Sequence, residues 1–296
     1  MEIINKSIES VSTQHFSDNS HKVFEDRKPF KFLNADLILD HYDFLEVIGS
    51  GGQGTVMKAR RRSDNSIVAI KAVKRSLTAI REVQILSSVT HPFIGGMIEA
   101  FCNSELIFII LEYYEFKLSE VIRNCNQQEA LMIVAQLLDA LKYLHINHLI
   151  HRDIKPDNVM IQRKRNLFAV KIVDFGMAIS DINPDRLQGA AGTNHYLAPE
   201  MISNQYSNKV DLWSLGIVLF EALFKDTPFR SNSQRNLFQE ILKFDTDNIQ
   251  YEQNTDLGII ELVKGLLQKN PENRLTAAEA LTITINSVSL SEMARY

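Results

Sequence analysis

The chain has 296 residues, 45% hydrophobic and 23% charged, enough for one large two-lobed globular domain and too apolar for a disordered one. A formal net charge of -4 supplies no overall basic field, which argues against extensive nucleic-acid or anionic-membrane binding. Two cysteines, Cys102 and Cys125, are too few for a disulfide framework or a zinc knuckle, and the longest strongly apolar run, Leu106 to Leu111, falls far short of the ~20 residues of a membrane-spanning helix.

The start of the chain lacks the basic-then-apolar pattern of a signal peptide. An intracellular, cytoplasmic protein is therefore expected, with the nucleus left open. Residues 1–41, rich in Ser, Asn, Asp and His, read as a flexible or loosely docked arm in which Phe30, Phe32, Leu33, Leu37 and Leu39 could pack on the domain. From Tyr42 the pattern is strand-like. Phe44, Leu45, Val47 and Ile48 lead into Gly49-Ser50-Gly51-Gly52-Gln53-Gly54, and Thr55-Val56 leads out. The spacing G-x-G-x-x-G suits backbone approach to phosphate, because glycine puts no Cβ in the way. Its commoner context, a dinucleotide fold, needs a helix directly after the glycines, whereas Thr55 and Val56 continue a strand.

A third strand, Ile67 to Lys71, ends on a lysine among apolar neighbours. The ordinary reading of that lysine is a snorkelling surface residue. A helix over Leu77 to Ser87 follows, with Ser76 or Thr78 as N-cap, and Glu82 within reach of Lys71. Strands at 97–102 and 106–112 complete a five-stranded antiparallel sheet, and residues 112–116 connect it to a helical lobe. The helix over 126–145 has a buried face at Leu131, Val134, Leu137, Leu138, Leu141 and Leu144. It delivers the chain to His151-Arg152-Asp153-Ile154-Lys155-Pro156-Asp157-Asn158, a polar loop between short apolar strands. By itself this octet is either a chemical platform or a charged surface turn. Further on come Asp174-Phe175-Gly176, a long polar loop over 177–197, Ala198-Pro199-Glu200, and helices near 209–224, 234–244, 257–268 and 276–283.

The motifs in this order resemble the eukaryotic-type protein kinase family, of serine/threonine specificity, from about Tyr42 to Leu281. The resemblance implies an α+β bilobal fold: an N-lobe at 42–112, a hinge at 112–116, a mainly helical C-lobe at 117–284, and a short tail at 285–296. It implies ATP and Mg²⁺ as cofactors and proteins with Ser/Thr acceptors as partners, with no nucleic acid, no membrane and no readable oligomeric state. Lys71, held by Glu82, would bind the α- and β-phosphates under the flap of Gly49, Gly51 and Gly54. Ile48, Val56, Ala69 and Met160 would sandwich adenine, Glu112 and Tyr114 would bond its edge through their backbone, and Leu111 would guard the back of the pocket. Asn158 and Asp174 would hold metal. Asp153 would accept the substrate's proton, Lys155 would offset charge on the transferred group, and Thr193 would bridge the two.

Other residues are assigned structural tasks by the same resemblance: His151 packing on Phe175, Asp211 anchoring the catalytic loop, and Glu200 paired with Arg274. Glu115, Asp157 and Glu221 fall where basophilic members hold substrate arginines, and without such arginines they would lack partners. Two departures stand out. Only ten residues separate Lys71 from Glu82, so the helix should be short at its start, and the position that usually carries an activating phosphate is Gly189. Activity is therefore expected not to require loop phosphorylation, although Arg152 is present as if to receive it. The alternative is a catalytically silent scaffold of the same fold.

Overall fold

The computed structural model describes residues 30–52, 54–164, 167–181, 194–202, 206–252 and 255–287. Alternating and β-branched segments form β1 (Leu33–Asn34), β2 (Tyr42–Gly51), β3 (Gly54–Arg61), β4 (Ile67–Lys74), β5 (Met97–Cys102) and β6 (Leu106–Glu112). These make one sheet in the order β1-β5-β6-β4-β3-β2. The five expected antiparallel strands are present, and a sixth, β1, pairs parallel to β5 through Leu33 with Phe101 and Asn34 with Cys102. From residue 30 onward the arm is docked, the second of the two expectations, with Phe30 and Phe32 packed against the core. The helical turn α1 (Ile38–His41) buries Ile38, while Ala35 and Tyr42 are buried on either side of it. Leu37 and Leu39, expected to pack, are 46% and 60% exposed. The short strand fills the open hydrogen-bonding edge of β5, a role that backbone rather than side-chain pattern performs.

One helix, α2 (Leu77–Ser88), lies against the sheet. Ser76 caps it by accepting from the Ala79 amide at 3.1 Å. Its inner face is Ala79, Glu82, Val83, Ile85 and Leu86, the i, i+3, i+4 spacing of an amphipathic helix with one carboxylate among its apolar members.

The second lobe is built on α3 (Gln127–Ile146), opened by a reciprocal cap in which Asn126 and Glu129 exchange side-chain and backbone hydrogen bonds at 2.9 and 2.8 Å. β7 (Phe116–Lys117) precedes it, and β8 (Leu149–Ile150), β9 (Val159–Lys164), β10 (Leu167–Ile172) and β11 (Ile179–Ser180) follow. β10, β9 and β7 form one small sheet, and β11 with β8 another. The octet is held between β8 and β9, both firmly paired. The helices α4 (Pro199–Ile202), α5 (Lys209–Phe224), α6 (Gln234–Lys243), α7 (Leu257–Leu266) and α8 (Ala277–Ser287) complete the lobe. α5 is apolar almost all round and buried along most of its length, as a central pillar must be. No helix among the described residues is long and apolar enough to cross a membrane.

Candidate active site

Between the two lobes lies a cleft of about 230 Å³. Its lining includes Ile48, Gly49, Val56, Ala69, Lys71, Glu82, Leu111, Glu112, Tyr114, Asn158, Met160 and Asp174, so most of the expected nucleotide site converges on one space. Gly51 and Gly54 stand in the β2–β3 turn outside the lining. Gly54 has φ +113°, and a Cβ there would sit 2.4 Å from the Ala72 carbonyl oxygen, so the fold itself requires glycine. At Gly51 and Gly52 a Cβ would meet nothing within 4 Å. A larger, open hollow of about 890 Å³ lies beside α5 and α6 near Phe224, Pro228 and Phe244. It gathers no counterpart of the lysine-carboxylate assembly described next, so volume does not locate the chemistry.

Lys71 is only 5% exposed in the middle of β4, and its Nζ is 2.6 Å from Glu82 and 2.8 Å from Asp174. The snorkelling alternative is excluded by this geometry. Burial by itself would lower the lysine pKa, but the two carboxylates outweigh it and hold the ammonium above its ordinary value. Burial pushes Glu82 upward against the pull of Lys71. These directions conflict for one ion pair, and the 2.6 Å contact together with the second carboxylate decides for the charged state. At Asp174 burial also opposes ionisation, yet Lys71 and the Gly176 amide keep its carboxyl low. The short approach to α2 costs nothing in pairing: ten intervening residues still bring Glu82 onto Lys71.

In the octet, Asp153 is 5% exposed. Its Oδ2 accepts from Lys155 Nζ at 2.8 Å and from Asn158 Nδ2 at 2.8 Å, and its backbone oxygen accepts from the same amide at 2.9 Å. Asp153 and Lys155 are outside the cleft lining and join it through Asn158. With its amide nitrogen committed to Asp153, Asn158 retains an oxygen as its acceptor. That oxygen and the Asp174 carboxylate are hard donors of the kind Mg²⁺ takes. Among the described residues no cluster of three His, Cys, Asp or Glu could hold a metal by protein ligands alone. A site of two donors completed by phosphate oxygens fits Mg²⁺ in that respect. Thr193, expected to bridge Asp153 and Lys155, and Gly189 lie outside the described residues.

The loop is fixed from below. Asp211, fully buried in α5, accepts from the His151 and Arg152 amides at 3.0 and 2.8 Å and contacts His145 Nε2 at 3.0 Å. His151 packs edge-on against Phe175 with ring centroids 4.9 Å apart. Arg152 adopts φ 66° and donates to the Met177 carbonyl at 2.7 Å and the Tyr206 hydroxyl at 2.8 Å. Arg152, expected to await a phosphate, therefore already has partners. Tyr206 carried no sequence signal, since a single tyrosine 54 positions away is matched to Arg152 only by folding.

Complete burial pushes the Asp211 carboxyl upward, but His145 and the His151 contacts outweigh this and hold it below its ordinary value. A depressed folded pKa means that the stabilisation is fully present above the unfolded value of about 3.9 and is lost as pH falls through the lower folded value. We expect Asp211→Asn to be less stable than the parent at neutral pH, with the difference between the two shrinking below about pH 4. Urea midpoints between pH 6 and 3 check this; a constant difference across that range contradicts it.

One expected group is corrected. Glu115 and Asp157 are exposed, but Glu221 is 5% exposed and already bound by Arg123 Nε at 3.0 Å and the Tyr196 hydroxyl at 2.8 Å. A substrate arginine is not needed to satisfy it.

Residues 42–284 match the family model described as the protein kinase domain. The chain is 35% identical over 254 residues to serine/threonine-protein kinase ULK3 of Xenopus laevis, covering 81% of this chain and 54% of that protein. It is 34% identical over 250 residues to serine/threonine-protein kinase TIO of Arabidopsis thaliana, covering 80% and 18%, and 32% identical over 256 residues to Aurora kinase of Dictyostelium discoideum, covering 82% and 65%. It spans less than two thirds of the length of each.

Proposed function

Because the chain belongs to the protein kinase family, we propose that it transfers the γ-phosphoryl group of ATP to serine and threonine hydroxyls of protein substrates. The observation that carries this reading is Lys71 bridging Glu82 and Asp174 in the cleft that also holds Asn158, with Asp153 and Lys155 joined to it. Lys71 neutralises the α- and β-phosphates. At Gly51 and Gly52 a Cβ would meet no protein atom within 4 Å, so the backbone there lies open to an approaching phosphate. Asn158 and Asp174 would hold Mg²⁺, which when bound spreads and neutralises phosphate charge. Asp153 orients the acceptor hydroxyl and takes its proton as the new O–P bond forms and the bond to the ADP oxygen breaks. Lys155 offsets charge on the group in transit.

Turnover independent of loop phosphorylation is supported by Arg152, whose guanidinium is already oriented by hydrogen bonds to Met177 and Tyr206 without a phosphate. Phosphatase treatment of the protein should leave its rate unchanged, and loss of activity with the removal of a mapped loop phosphate contradicts this. A preference for basic residues near the target rests on the exposed carboxylates of Glu115 and Asp157. A cytoplasmic setting is in keeping with Cys102 and Cys125, which are free thiols. A positional peptide library with ATP and Mg²⁺ tests the function: phosphate should appear on serine and threonine with Arg or Lys enriched nearby. Label confined to tyrosine overturns the hydroxyl class, and a flat library overturns the basic preference. Lys71→Met should abolish transfer in the same assay; full activity in that variant removes the lysine from its assigned role.

A further inference from the structure

The hinge carries a side-chain arrangement that backbone recognition of a nucleotide base does not require. Tyr114 is 8% exposed, turned in against the chain, and its hydroxyl donates to Glu112 Oε2. The same Oε2 accepts from the Gly96 amide at 3.1 Å, while the Glu112 amide donates to the Gly96 carbonyl at 3.0 Å. Glu112 is thus clasped to Gly96 through both backbone and side chain.

Two consecutive glycines make room for this. A Cβ at Gly96 would lie 3.1 Å from the Glu112 Cδ, and one at Gly95 would lie 2.8 Å from Val173 Cγ1 and 3.6 Å from Tyr114 Cε2. Gly95 is itself fixed by donating to the Ile172 carbonyl at 2.8 Å, and Val173 directly precedes Asp174. The Tyr114 ring therefore sits between the hinge, the glycine pair and the strand end that leads to Asp174. Burial, reinforced by Glu112, pushes the phenol pKa well above its ordinary value, so the hydroxyl stays a donor.

We propose that the Tyr114–Glu112 hydrogen bond, seated on Gly95 and Gly96, positions the hinge backbone for the adenine ring, making both side chains positioning residues for the base. The inference rests on the nucleotide reading of the cleft given above. A hinge held in its binding geometry loses less freedom when the base arrives, which favours affinity. The clasp touches the base end of the site, so its effect must be carried by adenosine and not by the phosphates.

Calorimetry on the full chain separates these. Tyr114→Phe keeps the ring and deletes the donor. It should weaken adenosine and ATP·Mg²⁺ alike by roughly threefold to tenfold, through the freedom the hinge regains before the base binds, while Mg²⁺-tripolyphosphate affinity stays at its parental value and the thermal midpoint falls by no more than a few degrees. Glu112→Leu should weaken adenosine similarly, and the double variant should lose no more than either single one. Glu112→Gln, which keeps an acceptor, should recover part of the loss. Unchanged adenosine affinity in Tyr114→Phe, or additive losses in the double variant, overturns the inference. If the parent protein binds neither adenosine nor ATP·Mg²⁺, the nucleotide reading itself fails, a result distinct from either.

Discussion

Asp153→Asn is expected to lower kcat by a factor on the order of 10² to 10⁴, the range for removing a positioned general base, with ATP affinity close to the parental value. The substitution is isosteric, and the carboxylate it replaces is buried, with Lys155 and Asn158 each 2.8 Å from one oxygen. An amide can sit in the same place, its oxygen accepting from Lys155 and Asn158 as Oδ2 does, but it cannot take the hydroxyl proton. The nucleotide-facing groups, Lys71, Glu82 and Asp174, form a separate cluster and should be undisturbed. Steady-state kinetics beside calorimetric ATP titration reads both quantities. A parental kcat in Asp153→Asn removes the residue from the chemistry.

The largest effect on stability is expected at Arg274. This side chain is 1% exposed and meets Glu200 in a two-pronged pair, Nη1 to Oε1 at 2.5 Å and Nη2 to Oε2 at 2.9 Å. It also donates to the carbonyls of Gln268 and Lys209 at 2.9 and 2.8 Å and lies over the Trp213 ring at 5.2 Å. Arg274→Met leaves a buried carboxylate without its counter-charge, which costs roughly 3–5 kcal/mol. Removing both charges in Glu200→Met/Arg274→Met should recover a substantial part of that loss, because two neutral groups need no compensation. Denaturant midpoints of the three variants decide it; a double variant as unstable as the sum of the single ones contradicts the pairing argument. Glu200 lies in α4, at the end of the polar loop, so the single variants should also lose activity.

Much of this was legible in the sequence because local chemistry and local structure agreed. The strands at 97–102 and 106–112 fall where they were expected, since their apolar runs are bounded by turn residues. Ser76, the expected cap of α2, caps it. Lys71, Glu82 and Asp174 converge as their motifs implied, although they are 11 and 103 positions apart in pairs. What was not legible depended on single residues meeting across the fold. The pairing of Leu33 and Asn34 with β5 is a backbone event with no side-chain pattern to announce it. Tyr206 on Arg152, Arg123 and Tyr196 on Glu221, and Tyr114 on Glu112 are each one side chain reaching one partner. None repeats with a period, so none leaves a trace that spacing could reveal. The error about Glu221 has the same origin: a carboxylate expected to be without a partner had one 98 positions away.

If this cleft and the octet beside it perform phosphoryl transfer, bound nucleotide is turned over, whereas a chain that kept the fold as a silent scaffold would bind it unchanged. Single-turnover mixing of the phosphatase-treated protein with γ-labelled ATP, Mg²⁺ and a serine- and threonine-containing basic peptide separates the two. Labelled phosphate on peptide serine or threonine, absent in Asp153→Asn, is the result predicted here. ATP bound at the cleft with no label on the peptide would contradict it.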